Sequence, residues 1–502
     1  MRNDTIRDVF IYNSLTRSKE KFEPINEGLV GLYVCGPTVY GDPHLGHARS
    51  AITFDIVRRY LAFLGYRVRH VRNVTDVGHL EDELSGSGED RISKKAKLEK
   101  LEPMEIAHSY TLSYRASMDK LNNLPPSIEP TATGHIQEQI DIIEKILQNG
   151  YAYEVNGSVY FDLKKYTDSH EYGKLSGKVL DDLVVGTRET EGLDEKRSPF
   201  DFALWKKAKP EHIMRWKSPW SVGFPGWHLE CTAMSTKYLG NPFDIHGGGM
   251  DLQFPHHEAE IAQNVCATGE SPVNYWMHNN MVTIDQQKMA KSLGNFINLE
   301  EFFTGDHEKL EQAYTPMTVR FFLLQAHYRS TIDFSNEALK AAEKGYKRLM
   351  NSLKNVRAME YAGKGEPDKA WQEKISKSIQ DCYTHMSDDF NTARALASLY
   401  ELTSFFNEVH AGKLQPAVLG KDLFEKARAT FDGMITDVMG LLPEDGGGEK
   451  RLEGTVELLI ELRKKAKEEK NYDVSDHIRD ELKNLGIQLK DEKGGGTTFT
   501  LD

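Results

Sequence analysis

The 502-residue sequence has only four cysteines and no apolar run near the ~18 residues that span a membrane. So few cysteines exclude a disulfide framework and predict a reducing, cytoplasmic environment, where a metal site explains them better than a bridge. The first nine residues contain Asp4 and Asp8 and no apolar stretch. We therefore expect no targeting segment and no membrane contact. An apolar content of 39% and a charged content of 28% are typical of globular proteins with several domains.

Positive charge is also in deficit, because the net charge is −13. This argues against indiscriminate binding to nucleic acid, although a specific RNA needs only a local basic patch. The run from Arg463 to Lys470 is such a patch, with five basic residues among eight. The alternative is a solvated helix face, since Glu468 and Glu469 interrupt the run.

Hydrophobic patterns predict a strand–helix–strand unit near the start of the chain. The apolar run Leu29–Val34 predicts a buried strand, residues 46–64 a helix that ends before Gly65, and residues 66–74 a second strand. Such a unit predicts the α/β class, with a Rossmann-type, doubly wound parallel sheet. The pattern resumes after residue 225 with a helix at 229–239, a strand at 243–246, a glycine loop at 247–249 and a helix at 255–267.

Composition divides the chain into five parts. Pro125-Pro126 lies near the start of an inserted segment, and three glycines at 446–448 indicate a linker. The predicted parts are a Rossmann-type domain (1–120 and 225–277), an inserted connective domain (121–224), a loop-containing region (278–336), a helical domain (337–445) and a small C-terminal α+β domain (449–502).

Two short motifs carry chemistry suited to a nucleotide triphosphate. His44 and His47 flank Gly46 at the start of the first predicted helix, where free N–H groups and the helix dipole favour phosphate. The second motif, Lys-Met-Ala-Lys-Ser, lies in a polar loop predicted over residues 286–295. Its Lys288 and Lys291 supply positive charges on a segment that can close over phosphates. The P-loop pattern is missing from the sequence.

A set of soft and borderline ligands is spread over three further segments. Cys35 follows the first strand, Cys231 lies near the start of a helix, and His256 and Glu260 are four residues apart on one helix face. Two thiolates, one imidazole and one carboxylate form a zinc set. His257 is the poorer candidate, because the residue four positions later is an isoleucine. Taken singly, each cysteine is better explained as a small buried hydrophobe than as a metal ligand.

These segments resemble the cysteinyl-tRNA synthetases, a family of class I aminoacyl-tRNA synthetases. The two phosphate motifs resemble the HIGH and KMSKS elements of that class. Three further motifs are intact: Cys-Gly-Pro-Thr at 35–38, Gly-Trp-His-x-Glu-Cys at 226–231 and Pro-His-His-Glu-x-Glu at 255–260. The resemblance covers nearly the whole chain. One departure is Ala290, which stands where the family usually has serine, and we expect it to tune activity without abolishing it.

The resemblance implies a function and a set of residue roles. It implies one zinc ion, held by Cys35, Cys231, His256 and Glu260, that selects the thiol of L-cysteine, and it implies ATP with Mg²⁺ as substrate. The remaining implied roles are catalysis by His44, His47, Lys288 and Lys291; ATP binding by Gly46, His246, Gly248, Asp251 and Lys291; an amino-acid pocket with Gly36, Thr75 and Trp227; and tRNA contacts by Lys467, Asp476 and Asp491.

The expected reaction is ATP-dependent activation of L-cysteine, followed by transfer to cysteine tRNA by a monomeric enzyme. The helical and C-terminal domains would hold the tRNA, and residues 278–336 its stem. Two alternatives stay open: a cysteine ligase of the mycothiol pathway, which lacks a full anticodon-binding tail, and a non-catalytic paralogue, which should have lost the phosphate motifs. The stretch from Val77 to Lys100 has no assigned role, and a mobile lid and a surface loop explain it equally well.

Overall fold

The structure, a computed structural model, describes residues 7–77, 80–82, 87–178, 195–210, 212–289, 295–363, 365–444, 448–491 and 497–501. The chain forms two compact units, one of residues 1–442 and one of residues 443–502. Within the described ranges, no helix is both long and apolar enough to cross a membrane. The five-part division of the chain is finer than these two units and stays a prediction.

The strands and helices alternate through the first part of the chain, and helices dominate the rest. The strands are β1 (Phe10–Asn13), β2 (Ser18–Lys21), β3 (Leu29–Val34), β4 (Arg67–Arg72), β5 (Leu80–Asp82), β6 (Ser87–Asp90), β7 (Ala152–Val155), β8 (Ser158–Phe161), β9 (Phe202–Lys207), β10 (Trp216–Lys217), β11 (Val222–Pro225), β12 (Phe243–Gly249), β13 (Val273–Asn279), β14 (Val282–Ile284), β15 (Gln287–Lys288), β16 (Ile332–Phe334), β17 (Ile487–Asp491) and β18 (Thr497–Leu501).

The helices are α1 (Leu45–Phe63), α2 (Arg91–Glu99), α3 (Pro103–Lys120), α4 (Ile136–Gln148), α5 (Leu163–Thr167), α6 (Leu229–Leu239), α7 (His256–Thr268), α8 (Leu299–Thr304), α9 (Pro316–Leu324), α10 (Asn336–Ala358), α11 (Lys369–Ser387), α12 (Thr392–His410), α13 (Lys421–Gly433), α14 (Gly448–Glu468) and α15 (Tyr472–Asn484). The three that the sequence predicts, at residues 46–64, 229–239 and 255–267, lie within one residue of the expected bounds.

A four-stranded parallel sheet, in the order β13–β12–β3–β4, forms the centre of the first unit. β3 is nearly continuous in apolar residues, which suits a strand covered on both faces. α1 connects β3 to β4, and α7 connects β12 to β13, as the predicted strand–helix–strand pattern requires. In register, Val34 lies opposite Gly247 on one side and Arg72 on the other. The carboxyl ends of these strands therefore meet at one edge.

The predicted glycine loop at 247–249 is wrong, because these residues continue β12 and pair with β13. These positions of the strand require glycine because neighbouring side chains occupy the space that a Cβ atom would need. A Cβ on Gly247 would lie 2.2 Å from the ring of Phe54, and one on Gly248 would lie 2.8 Å from His257. Glycine here permits close packing of rings on a central strand.

The inserted segment forms its own antiparallel sheet, in the order β10–β11–β9–β8–β7. α4 has apolar residues on one face and packs with α6 and α7, and its core includes Trp205 and Phe161. An inserted domain attached to a parallel sheet agrees with the predicted fold class. Two other expectations change locally. Residues 287–288 of the predicted 286–295 loop pair with β14 as a strand, and the stretch after Val77 contains the pair β5–β6 followed by α2.

Helices α10 to α13 follow as a bundle, as the composition predicts. A buried ionic cluster joins α1 to α9. Asp55 on α1 accepts hydrogen bonds from Arg59 Nε at 2.8 Å and from Arg320 Nη2 at 2.5 Å. Arg320 also donates to the carbonyl oxygens of Leu121 and Met439, and it is fully buried. This cluster links α1, the helix that His44 and His47 cap, to α9 and to the segments that contain Leu121 and Met439.

The second unit consists of α14, α15 and the hairpin β17–β18, as expected for a small α+β domain. Gly448 of the predicted linker begins α14, while residues 446 and 447 lie outside the described ranges. The basic run is divided: Arg463 faces the interior at 3% exposure, and Lys467 is exposed. The expectation that Arg463 belongs to a surface patch is therefore wrong, because the helical period turns it toward the core.

Substitution of Asp55 by alanine should strongly destabilise the first unit. The change leaves Arg320 buried without its carboxylate, and the loss of one partner of a buried ion pair costs about 3–5 kcal/mol. The measurement is a denaturant titration followed by tryptophan fluorescence. Glu373→Ala, which breaks an exposed ion pair with Lys369, serves as the control and should cost less than about 0.5 kcal/mol. A similar loss in both variants would contradict the role given to the cluster.

Candidate active site

The carboxyl edge of the parallel sheet brings together the three segments that carry the predicted metal ligands. Cys35 directly follows β3, and its N–H donates to the carbonyl oxygen of Gly247 on β12 at 3.1 Å. α6 places Cys231 in its first turn, and α7 places His256 at its start. His256 and Glu260 lie one helical turn apart on α7, with facing side chains.

The four predicted ligand atoms lie within 4.8 Å of one another. Cys35 Sγ is 3.4 Å from Cys231 Sγ and 3.9 Å from Glu260 Oε1. His256 Nε2 is 3.3 Å from both Cys231 Sγ and Glu260 Oε1. Neighbouring ligands around a tetrahedral zinc are separated by about 3.3–3.8 Å, given its bond lengths. These four residues therefore fit a zinc ion without rearrangement of the backbone.

A second group of four, Cys35, His246, His257 and Glu260, has the same compactness. His257 Nε2 lies 3.3 Å from Cys35 Sγ, closer than the helical spacing on α7 suggests. His257 is therefore a second candidate ligand on α7, because its partners come from other elements as well as from its own helix face. The two groups share Cys35 and Glu260, and they differ in the number of sulfur atoms that they offer.

Burial shapes the charge of this cluster. It raises the pKa of the Cys35 thiol to about 12 and that of Cys231 well above its usual value, while the pKa of Glu260 also rises. Burial lowers the pKa of His257 well below the normal histidine value. Burial therefore favours the neutral forms of these donors. A bound cation would stabilise the thiolate forms of the cysteines, since coordination deprotonates a thiol.

Two histidines of this cluster escaped the sequence analysis. His278 at the end of β13 lies 2.8 Å from His257, measured between Nε2 and Nδ1, and its other nitrogen lies 2.8 Å from Ser14 Oγ. His228 Nδ1 lies 3.1 Å from His256 Nδ1. His278 occupies the carboxyl end of a parallel strand, and that position was the available signal. These contacts orient the rings of both candidate histidine ligands.

The predicted amino-acid pocket residues lie beside the cluster. The N–H of Gly36 donates to Asn73 Oδ1 at 2.8 Å, and a Cβ on Gly36 would overlap the Asn73 carbonyl, so only glycine fits. Thr75 is buried and donates through its hydroxyl to Glu230 Oε1 at 2.7 Å. Trp227 packs with Phe224 and Val77 at 7% exposure. The sequence analysis missed Glu230, whose pKa burial raises to about 8.

His44 and His47 form the N-terminal cap of α1. His44 Nδ1 accepts from the N–H of Gly46 at 3.0 Å, and His47 Nδ1 accepts from the N–H of His44 at 3.2 Å. The ring of His44 lies against Gly46, where a Cβ would come within 2.8 Å of it. The two ring centroids are 4.0 Å apart. Because each Nδ1 accepts from the backbone, the ring proton of each neutral imidazole is on Nε2.

The other predicted ATP residues have different settings. Lys288 belongs to β15, and Ala290 and Lys291 lie outside the described residues. His246 is fully buried, with Nε2 2.9 Å from Glu260 Oε2 and its ring stacked on Trp276. Gly248 packs under His257, while Asp251 is exposed in the turn after β12. The ATP roles of these residues stay predictions.

The tRNA candidates are in the second unit. Lys467 on α14 and Asp476 on α15 are exposed, and Asp491 ends β17. Their contacts with tRNA remain predictions.

Comparison with known families defines the class of protein. A family model described as "tRNA synthetases class I (C) catalytic domain" matches residues 21–344, and a model described as "DALR domain" matches residues 382–443. The first match covers the whole parallel sheet, the inserted sheet and the cluster of cysteines and histidines. The chain therefore belongs to the class I tRNA synthetases.

Full-length relatives narrow the class to one family. The chain is 58% identical over 493 residues to a cysteine–tRNA ligase of Cytophaga hutchinsonii, with 98% of each chain covered. It is 48% identical over 496 residues to a cysteine–tRNA ligase of Deinococcus radiodurans, with 97% of this chain and 96% of the relative covered. The chain is a member of the cysteine–tRNA ligases. This confirms the predicted family and function and favours neither alternative.

Solved structures agree on the fold alone. Mycobacterium tuberculosis methionyl-tRNA synthetase in complex with methionyl-adenylate aligns with a TM-score of 0.57 at 14% identity, covering 82% of this chain and 92% of that chain. LeuRS from a ternary complex of Agrobacterium radiobacter K84 aligns with a TM-score of 0.55 at 13% identity, covering 83% and 85%. Both confirm the predicted fold class.

His47 should remain neutral across the physiological pH range. Burial, with the neighbouring His44, lowers its pKa to about 3. The unfolded chain binds a proton at this group below about pH 6.5 whereas the folded chain does not, so the contribution of His47 to folding stability falls as the pH decreases from 6.5 toward 3. Proton–carbon NMR of histidine-labelled protein, with the signal assigned from His47→Asn, should show no inflection between pH 6 and 8. A midpoint near 6.5 would contradict this prediction.

Proposed function

We propose that this chain activates L-cysteine with ATP and transfers it to the terminal ribose of cysteine tRNA. The observation that carries the proposal is the compact set of Cys35, Cys231, His256 and Glu260 at the sheet edge where Thr75 and Trp227 also lie. Membership of the cysteine–tRNA ligases supports L-cysteine, ATP and tRNA as partners.

The four residues would hold one zinc ion by two thiolates, one imidazole and one carboxylate. When bound, zinc supplies a soft Lewis acid for the substrate thiolate, which the hydroxyl of serine cannot match. This matters because a hydrophobic pocket separates such near-isosteres by only ~10–200-fold. Glu260 is the hardest of the four donors, and its Oε2 already bonds His246, so it would be the weakest of the four partners for a soft ion.

The protein contributes positioning and charge to the first step, in which the cysteine carboxylate attacks the α-phosphorus of ATP and pyrophosphate leaves. His44 and His47 would donate through Nε2 to phosphate oxygens, since their Nδ1 atoms accept from the backbone. Lys288 and Lys291 would neutralise the charge that develops on the phosphates, with Mg²⁺ bound to ATP. The tRNA ribose then attacks the carbonyl carbon of the adenylate and AMP leaves.

The remaining roles follow from the family. Gly46, Gly248, Asp251 and the backbone of His246 would contact ATP. Lys467, Asp476 and Asp491 are candidates for tRNA contacts in the second unit. We expect a cytoplasmic monomer without membrane contact.

The direct test is charging of a cysteine tRNA transcript by the zinc-loaded protein with ATP and Mg²⁺. We expect charging with radiolabelled cysteine and discrimination against serine of at least about 10⁴-fold, beyond what a hydrophobic pocket achieves. Cysteine-dependent pyrophosphate exchange without charging would contradict the tRNA step and favour the mycothiol-type ligase. Absence of both activities would favour the non-catalytic alternative.

A matched pair of histidine variants tests the zinc site in the same assays. His256→Ala should lose bound zinc and should lower cysteine-dependent exchange by at least about 100-fold. His410→Ala, an exposed histidine at the end of α12, should retain both. Retained exchange in His256→Ala would contradict the assignment of His256 as a ligand.

A further inference from the structure

Glu230 is a buried carboxylate with one unsatisfied oxygen. It lies in the first turn of α6, next to Cys231, at 1% exposure. Its Oε1 accepts a hydrogen bond from Thr75 Oγ1 at 2.7 Å, whereas its Oε2 has no hydrogen-bond partner among the described residues. A buried carboxylate oxygen without a donor is costly, so a ligand that supplies a donor would stabilise it.

A series of polar contacts connects Glu230 to the candidate metal ligands. Asn73 Oδ1 lies 3.8 Å from Cys231 Sγ and accepts from the N–H of Gly36 at 2.8 Å. Asn73 Nδ2 donates to Thr75 Oγ1 at 3.2 Å, and Thr75 in turn donates to Glu230. Glu230 is therefore connected to Cys231 both through the chain and through these side-chain contacts, and it is not an isolated feature of the core.

Neighbouring carboxylates at this edge are already engaged. Both oxygens of Asp76 accept hydrogen bonds from Thr133, one from its N–H and one from its hydroxyl. Glu260 Oε2 pairs with His246, and its Oε1 faces the ligand group. Asp251 is exposed beyond β12. Among the described residues, Glu230 Oε2 is thus the one buried carboxylate oxygen that lacks a hydrogen-bond partner.

We propose that Glu230 binds the α-ammonium group of L-cysteine through Oε2. Thr75 orients the Glu230 side chain by its hydrogen bond to Oε1. The substrate carries its ammonium two carbons from its sulfur, so a thiol bound at the cluster places the ammonium close by. A hydrogen bond between an ammonium and a carboxylate is strengthened by both charges and is especially effective when buried. This assignment rests on the proposed function, because it takes L-cysteine as the substrate, and it makes Glu230 a determinant of amino-acid specificity.

The test compares two ligands in the zinc-loaded protein. 3-Mercaptopropionate has the thiol and carboxylate of L-cysteine but lacks the ammonium group. Glu230→Gln should raise the calorimetric Kd for L-cysteine by about 10- to 100-fold, the range for a hydrogen bond to a charged group. The Kd for 3-mercaptopropionate should change by less than about threefold, and bound zinc should stay at the wild-type level by elemental analysis.

Two variants guard against general damage. Glu258→Gln is the control, since Glu258 is equally buried but accepts from the N–H groups of Leu175 and Ser176. It should keep the wild-type ratio of the Kd for L-cysteine to the Kd for 3-mercaptopropionate. If Glu230→Gln does not fold, Thr75→Val removes the contact that orients Glu230. It should raise the ratio of the Kd for L-cysteine to the Kd for 3-mercaptopropionate, to a smaller extent than expected for Glu230→Gln.

Each other outcome has a definite meaning. An equal loss for both ligands, a loss of zinc, or an unchanged ratio would overturn the role of Glu230. The wild-type protein is first assayed for cysteine-dependent pyrophosphate exchange. Failure of that assay contradicts the proposed function itself, whereas exchange together with an unchanged ratio contradicts only the assignment of Glu230.

Discussion

The structure depends on the burial of thiols, imidazoles and a carboxylate at one edge of a parallel sheet. Cys35, Cys231, His256 and Glu260 converge there from a strand end and two helices. Burial favours the neutral forms of the thiols and carboxyl, and a cation is the partner that makes their ionised forms stable. Folding therefore brings these metal-binding groups together at a cost in stability, because it buries them.

Several local features serve this convergence. Glycine on β12 allows the rings of Phe54 and His257 to pack against the strand, and Gly36 allows the segment after β3 to approach Asn73. The same edge carries the N-terminal cap of α1, where His44 and His47 accept hydrogen bonds from backbone N–H groups through Nδ1. The candidate metal ligands and the two histidines of the cap thus lie on elements of one sheet edge, and the buried cluster around Asp55 links α1 to α9.

Local sequence patterns predicted the elements of this frame well, because strands buried on both faces and capped helices leave strong signals. β3 and α6 have the expected bounds, and the spacing of His256 and Glu260 correctly places them on one face. The failures have tertiary causes. His257, His278 and Glu230 reach the site from positions that no local period marks, and the glycines of β12 look like a loop until the rings that cover them are known.

X-ray absorption at the zinc edge distinguishes the two possible ligand groups, because they differ in sulfur count. We expect one zinc per chain with two sulfur ligands at about 2.3 Å and two lighter ligands. Addition of L-cysteine should raise the sulfur count to three. A single sulfur with several nitrogen ligands would assign the metal to the group of His246 and His257 instead. A spectrum unchanged by L-cysteine would contradict selection of the substrate thiol by the metal.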